Sequence, residues 1–175
     1  MLFRSDLCDL SLDLSAWMFF LGERTKSVEE GRQLAETMIA SGQALEKFRQ
    51  GIRLQGGDER IIDEPERLPT ARLHVPVLSS ASGFVTSTDC QQFGIALAML
   101  GGGREKKEDH IDHGVGLEFH KRIGDRVEKE EPLATIHYNS EAKLAEAKNR
   151  IAESYHIGQE APREKHVLVR RLIGA

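Results

Sequence analysis

The hydrophobic positions in the first third of the chain repeat with the three- and four-residue spacing of amphipathic helices. Leucine and tryptophan at this spacing predict a first helix over residues 6–21, whose last turns, residues 16–21, are apolar on nearly every side. A capping box formed by Ser27 and Glu30 predicts a second helix, and a third follows over residues 43–54. A helix that is apolar all round needs partners on several faces, so we expect its two neighbours to leave the first helix partly uncovered.

A polar stretch with two prolines, residues 58–69, separates this helical segment from one that is rich in predicted strands. Residues 74–78 are predicted to be extended, with Pro76 favouring an edge position because proline donates no ladder hydrogen bond. The other strand segments are residues 84–88, 115–119, 133–138 and 167–173. Short strands separated by glycine turns predict a small barrel or sandwich with an inserted helix.

Two helices are predicted inside this β-rich segment. Asp89 is a suitable N-cap for a helix that continues to Leu100, and Asn139 for a last helix whose apolar stripe reaches Tyr155. The glycines of residues 101–104 have the composition of a phosphate-binding loop, but such loops precede a helix, where N–H groups and the positive dipole end face the anion. These glycines follow a helix, so we expect them to supply left-handed turns and no phosphate site.

Composition and charge narrow the class of protein. The 175 residues are 39% hydrophobic and 30% charged, as in an ordinary globular protein, and the formal charge of −4 gives no basic footprint for nucleic acid. No apolar run approaches the roughly 20 residues that span a bilayer. Cys8 and Cys90 are too few for a disulfide framework or a zinc site, and aspartates interrupt the N-terminal apolar positions that a signal peptide would need. We therefore expect a cytoplasmic protein that binds neither nucleic acid nor membrane.

Two groups of polar side chains are candidates for binding sites. One could attract an anion and consists of arginines on the N-terminal helices: Arg24, Arg32, Arg49 and Arg53. The other could bind a metal ion: Asp109, His110, Asp112, His113 and His120. For the arginines, a position on solvent-exposed helix faces is a better interpretation than an anion-binding site. Because His110 and His113 are three apart on a predicted loop while His120 lies on the following strand, surface histidines are the better interpretation and no metal site is assigned.

Short motifs occur in order along most of the chain, from residue 6 to about residue 155. They are Ser41-Gly42-Gln43-Ala44-Leu45-Glu46-Lys47-Phe48, Gln55-Gly56-Gly57-Asp58, Leu68-Pro69, Ser82-Gly83-Phe84-Val85, Leu100-Gly101-Gly102-Gly103-Arg104, Lys107-Glu108, Ile111-Asp112, Val115-Gly116, Gly124-Asp125-Arg126-Val127 and Glu131-Pro132-Leu133-Ala134-Thr135-Ile136. Through them the chain closely resembles the C-terminal portion of bacterial pyrimidine-nucleoside and thymidine phosphorylases. So many short matches in the same order make the resemblance specific.

The resemblance implies a fold and a parent activity. Members of that family are two-domain homodimers that cleave a pyrimidine (deoxy)nucleoside with phosphate, which gives the free base and (deoxy)ribose 1-phosphate. Residues 1–68 would be the helical tail of a truncated α/β domain. Residues 69–175 would be the C-terminal domain, so that the chain as a whole is α+β, with a small barrel-sandwich (hammerhead-like) domain that carries an inserted helix. The implied partner is the N-terminal half of the enzyme, and no cofactor is implied.

The resemblance also indicates what this portion lacks. In the family, a Gly-rich loop with Lys and Ser holds phosphate, and a set of Arg, Ser and Lys holds the base, both in the N-terminal half. No segment of this sequence matches either motif. No catalytic, substrate-binding or metal-binding residue is therefore assigned, and we expect the chain alone to be inactive.

One departure from the family lies in a turn, where Glu130 stands at a position that is usually glycine. If this position has a positive φ, the glutamate costs about 1 kcal/mol. A biotinyl- or lipoyl-carrier barrel is an alternative interpretation of residues 124–136, although Lys129 occupies a different turn from the modified lysine of such carriers. A stand-alone binding module is the third interpretation. The apolar face at residues 17–21 argues against it, because a stand-alone module would have no partner surface to cover that face.

Overall fold

The computed structural model describes residues 5–104 and 106–162, and it has both helices and antiparallel sheets, which makes the fold α+β. Contacts within the chain divide it into two compact units, one with the residues up to Pro65 and one that begins at Glu66. Each unit has its own buried residues.

The first unit is helical, as the sequence predicts. Its helices are α1 (Ser5–Leu21), α2 (Val28–Ala40) and α3 (Gln43–Leu54). The N-cap half of the capping box at the start of α2 is confirmed, because the Glu30 N–H donates to Ser27 Oγ over 3.2 Å. The Glu30 carboxylate reaches one residue further back than expected and accepts the Lys26 N–H at 2.9 Å.

Helices α1 and α2 are held together by small residues and by one arginine. Leu12, Ala16 and Ala35 are buried between them. Gly31 allows the closest approach, since a Cβ at this position would lie 2.5 Å from the carbonyl oxygen of Ala16. Beside this contact, the guanidinium of Arg32 donates to Asp9 Oδ1 at 2.8 Å.

Much of the apolar surface of the first unit is not covered by the unit itself. None of the residues in α3, which lies wholly in the described part, is buried. The large side chains that stay exposed are Leu7, Leu14, Met18, Phe20, Leu21, Ile39, Leu45, Phe48 and Leu54. Met18 and Leu21 are each 73% exposed, which confirms that the first helix is only partly covered by its two neighbours.

The strands of the second unit form two antiparallel three-stranded sheets. They are β1 (Leu73–Leu78), β2 (Gly83–Thr88), β3 (Gly116–Phe119), β4 (Arg126–Val127), β5 (Pro132–Tyr138) and β6 (Tyr155–Gly158). The orders are β1-β5-β3 and β4-β2-β6, so Pro76 lies on an edge strand as predicted. The described residues form two separate sheets and no closed barrel.

The two sheets share one hydrophobic core with α4 (Cys90–Leu97) and α5 (Leu144–Glu153). The largest fully buried side chains are Leu133, Ile136, Ile151, Val77, Val85 and Val127. Phe93 of α4 packs its ring against Phe119 and Tyr155, with centroids 5.1 and 5.4 Å away. Each fully buried aliphatic side chain contributes about 1.5–3 kcal/mol, so this core has the means to hold the unit together.

Helix α4 begins where predicted but ends early. Asp89 Oδ1 accepts the N–H groups of Gln91 and Gln92, which confirms the N-cap. The α-helix ends at Leu97, a π-turn follows over Ala98–Gly102, and Gly101 leaves the helical region within that turn at φ 95°.

The prediction for the last helix is wrong at both ends. Asn139 does not cap it, because its amide is engaged with other parts of the chain, and α5 begins only at Leu144. Tyr155 is the first residue of β6 and pairs with Thr88, and its hydroxyl donates to the Leu133 carbonyl at 3.2 Å. Burial there raises the pKa of Tyr155 to about 12. The predicted strand at residues 167–173 lies outside the described residues.

Candidate functional site

The glycine segment after α4 bounds a small cavity. Gly101 has φ 95°, so the predicted left-handed turn is confirmed there, and its carbonyl accepts the Asp112 N–H at 2.8 Å. The cavity is about 270 Å³ in volume and is lined by Ala98, Met99, Gly101, Gly103, Asp109, His110 and Lys143. The segment stands at the C-terminal end of its helix, where backbone carbonyls rather than N–H groups are exposed, and this is unfavourable for an anion.

Asp112 links this segment to Asn139 and, through Asn139, to Arg72. Its Oδ2 accepts from the side-chain amide of Asn139 at 2.7 Å, and its Oδ1 accepts the Gly114 N–H at 3.0 Å. The hydrogen bond from Asn139, helped by that from Gly114, holds the pKa of Asp112 below its usual value. Asn139 Oδ1 in turn accepts the Arg72 N–H at 2.8 Å. Asp112 and Asn139 therefore act together as a structural tie between this segment and Arg72.

The histidines considered as metal ligands are not assembled into a site. His110 lines the small cavity beside the glycines, whereas the His120 ring nitrogen Nε2 lies 2.7 Å from Thr135 Oγ1 on the neighbouring strand. Across residues 5–104 and 106–162, no three side chains of His, Cys, Asp or Glu are arranged to hold a metal ion.

Three of the four arginines considered as an anion site are paired with carboxylates. Arg32 bonds Asp9 and Asp13, Arg49 makes a two-pronged pair with Asp63 at 2.9 and 3.0 Å, and Arg53 donates to Glu59 at 2.8 Å. These hydrogen bonds raise the pKa of each guanidinium. Because they are exposed pairs that tie helices to neighbouring segments, they serve local structure and do not converge on an anion.

A larger groove runs between α4, α5 and β6. Its volume is about 540 Å³, and it is lined by Asp89, Gln92, Glu146, Asn149, Arg150, Glu153, Ser154 and His156. Arg150 Nη1 donates to Gln92 Oε1 at 2.6 Å, while its Nε is buried without a hydrogen-bond partner among the described residues. No local sequence pattern indicates this groove, since Gln92 and Arg150 lie on different helices far apart in the chain.

Lys129 lies in the turn between β4 and β5, which belong to different sheets. Its N–H is held by Ser82 Oγ at 2.9 Å, and the next residue, Glu130, has φ 67° and donates to the Ser79 carbonyl at 2.8 Å. The lysine is therefore not at the tip of a hairpin, where a carrier domain presents its modified lysine.

Comparison with known proteins identifies the second unit. The sequence profile of the "Pyrimidine nucleoside phosphorylase C-terminal domain" matches residues 84–158, from the second residue of β2 to the last residue of β6. The chain carries the C-terminal domain of the pyrimidine-nucleoside phosphorylase family. Every strand and helix of the shared core except β1 lies within this phosphorylase domain, so the match covers the elements that fold it.

Individual relatives support the same assignment. The chain is 47% identical over 134 residues to pyrimidine-nucleoside phosphorylases of Staphylococcus aureus, among them those of strains USA300, NCTC 8325 and COL. The similarity covers 77% of this chain but 31% of each relative. The chain thus spans about a third of the length of the curated relatives that it matches and corresponds to their C-terminal portion.

None of the described helices has both the length and the apolar composition that crossing a bilayer requires.

Proposed function

We propose that the chain is the supporting C-terminal part of a pyrimidine-nucleoside (thymidine) phosphorylase. The parent enzyme would convert a pyrimidine (deoxy)nucleoside and phosphate to the base and (deoxy)ribose 1-phosphate, as a cytoplasmic homodimer in nucleoside salvage. The observation that carries this proposal is the phosphorylase-domain match over residues 84–158, together with 47% identity to relatives of that name.

The role of this part would be to buttress and not to catalyse. Several arginines and carboxylates of the described residues are engaged with one another, as Arg32 is with Asp9 and Arg49 with Asp63. Phosphate and base would be held by the N-terminal half, and closure of the cleft between the domains would bring them together. No residue of this chain is assigned to catalysis, substrate binding or a metal.

The two units would divide this role. Residues 1–68 would complete the helical part of the larger domain, and their exposed apolar side chains would lie against the N-terminal half of the enzyme. Residues 69–175 would be the barrel-sandwich, hammerhead-like domain of the family. Two sheets around one core, with α4 inserted between strands, support that assignment.

Assays of thymidine and uridine phosphorolysis test the proposal in two forms. The chain alone should release no base in phosphate buffer. A chimera in which residues 84–158 replace the matched segment of a Staphylococcus aureus pyrimidine-nucleoside phosphorylase should be active, because the substituted domain supplies the same support.

The matched control is the same relative without its C-terminal domain, which should be inactive. Release of thymine by the chain alone would contradict the assignment of the active groups to the missing half. A folded but inactive chimera would contradict the supporting role.

A further inference from the structure

Two histidines face each other on the outer surface of the β1-β5-β3 sheet. His74 of β1 is paired with His137 of β5 in the antiparallel register, and their ring centroids lie 6.3 Å apart. Val75 and Ile136, which alternate with them, point to the opposite, core-facing side. His74 is exposed, and the side chain of His137 keeps 40% of its surface open to solvent.

The third strand adds a carboxylate and free space beside this pair. Glu118 of β3 places Oε2 at 3.6 Å from Nε2 of His137. Gly116, which is on β3 like Glu118, lies directly opposite His137 of β5. A Cβ added to Gly116 would meet no atom within 4 Å. The face therefore has two imidazoles, one carboxylate and an uncrowded approach from solvent.

Imidazole nitrogen and carboxylate oxygen are the ligands that zinc prefers besides thiolate. We propose that His74 and His137 chelate a divalent transition-metal ion such as Zn²⁺ on this sheet face, with Glu118 within reach as a third ligand and water completing the coordination. The phosphorylase assignment does not require this site, and the site is independent of that assignment.

The distances fit such a chelate after a small rotation. A tetrahedral ion about 2.0–2.1 Å from each ring nitrogen holds the two ring centres about 5 Å apart, against the 6.3 Å observed. The rings must therefore approach by about 1 Å, which exposed side chains accomplish by rotation on a fast timescale. As the side chains stand, no three ligands among the described residues surround a metal position.

Calorimetric titration of the metal-free full chain with Zn²⁺ tests the site. We expect one strongly bound ion per chain, and we expect His74→Gln and His137→Gln each to weaken binding about tenfold or more, as removal even of an outer-shell partner commonly does. Glu118→Gln should weaken it less than either histidine variant. The matched control is His156→Gln, which removes an exposed histidine from β6 in the other sheet and should leave binding unchanged.

A second readout separates ligation from a folding defect. Zn²⁺ should raise the melting temperature of the wild-type chain and of His156→Gln but not that of His74→Gln, while all three should melt alike without metal. Absence of binding up to about 1 mM Zn²⁺ would overturn the proposal. Equal binding by the wild type and His137→Gln, or equal losses in His156→Gln and His74→Gln, would also overturn it.

Discussion

Among single residues, Glu130 shows how one backbone angle can conflict with the side chain that occupies it. Its φ of 67° lies in the left-handed region, where a Cβ approaches the carbonyl oxygen and costs about 1–2 kcal/mol. The turn keeps this angle because the Glu130 N–H reaches the Ser79 carbonyl and the Lys129 N–H reaches Ser82 Oγ. The cost expected from the sequence depends on a positive φ at Glu130, and the observed angle meets that condition.

Replacement of Glu130 by glycine should therefore stabilise the chain. We expect the free energy of unfolding to rise by about 1 kcal/mol, since the relief of left-handed strain exceeds the entropy that glycine adds to the unfolded state. Urea unfolding followed by circular dichroism measures the change. Lys129→Gly is the control in the same turn: its φ is not positive, so it should lower stability by about 0.5–1 kcal/mol. A destabilised Glu130→Gly would contradict the strain argument.

Among the elements, the α1–α2 crossing depends on the missing side chain of Gly31. A methyl group there would come within 2.5 Å of the Ala16 carbonyl oxygen, a backbone atom that cannot move aside without shifting the helix. Glycine within a helix otherwise costs about 1 kcal/mol relative to alanine, so close packing must offset that cost. No sequence feature of α2 alone reveals this, because the constraint comes from the other helix.

Gly31→Ala should destabilise the first unit by about 1–3 kcal/mol through overpacking. Gly51→Ala in α3 is the matched control: a Cβ there would meet nothing within 4 Å, so alanine should stabilise α3 by up to about 1 kcal/mol. Thermal unfolding of both variants measures the opposite signs. A neutral or stabilising Gly31→Ala would show that the helices separate at little cost.

The elements that could be predicted from the sequence are those fixed by local chemistry. Ser27 and Asp89 cap helices through bonds to residues two or three positions away, so their patterns were sufficient. Asn139 and Tyr155 were misplaced because distant partners decide their positions. Asn139 donates to Asp112, and Tyr155 pairs with Thr88, both beyond the reach of any local periodicity. The Gln92–Arg150 groove was missed for the same reason.

At the scale of the whole molecule, the two units differ in how completely each buries its own apolar side chains. The second unit encloses Ile136 and Ile151 completely, whereas the first leaves Leu54 86% exposed and Met18 73% exposed. Large apolar side chains in this number are unusual on an isolated soluble surface and favour association. The apolar period of α1 and α3 predicted both helices correctly, and the apolar last turns of α1 also predicted its incomplete cover. The absence of any buried residue in α3 comes from the structure alone.

The full chain should therefore self-associate, whereas residues 69–175 should behave as a monomer. Size-exclusion chromatography with light scattering measures both masses at matched concentrations. Leu14→Gln combined with Met18→Gln in the full chain should shift it toward the monomer, because these exposed side chains carry part of the apolar surface. Monomers in both cases would count against an unsatisfied surface on the first unit.

The pairing of β2 with β6 has a practical consequence. Phe84 and Gly158, the two ends of the matched segment, are partners across the same sheet, so this segment begins and ends at one place. A domain with neighbouring ends can be circularly permuted or inserted into a loop of another protein with a short linker. In such a permutant, Phe84 and Gly158 would be joined by the linker. The new termini would lie in the exposed turn near Lys129, between β4 and β5, and would interrupt neither strand.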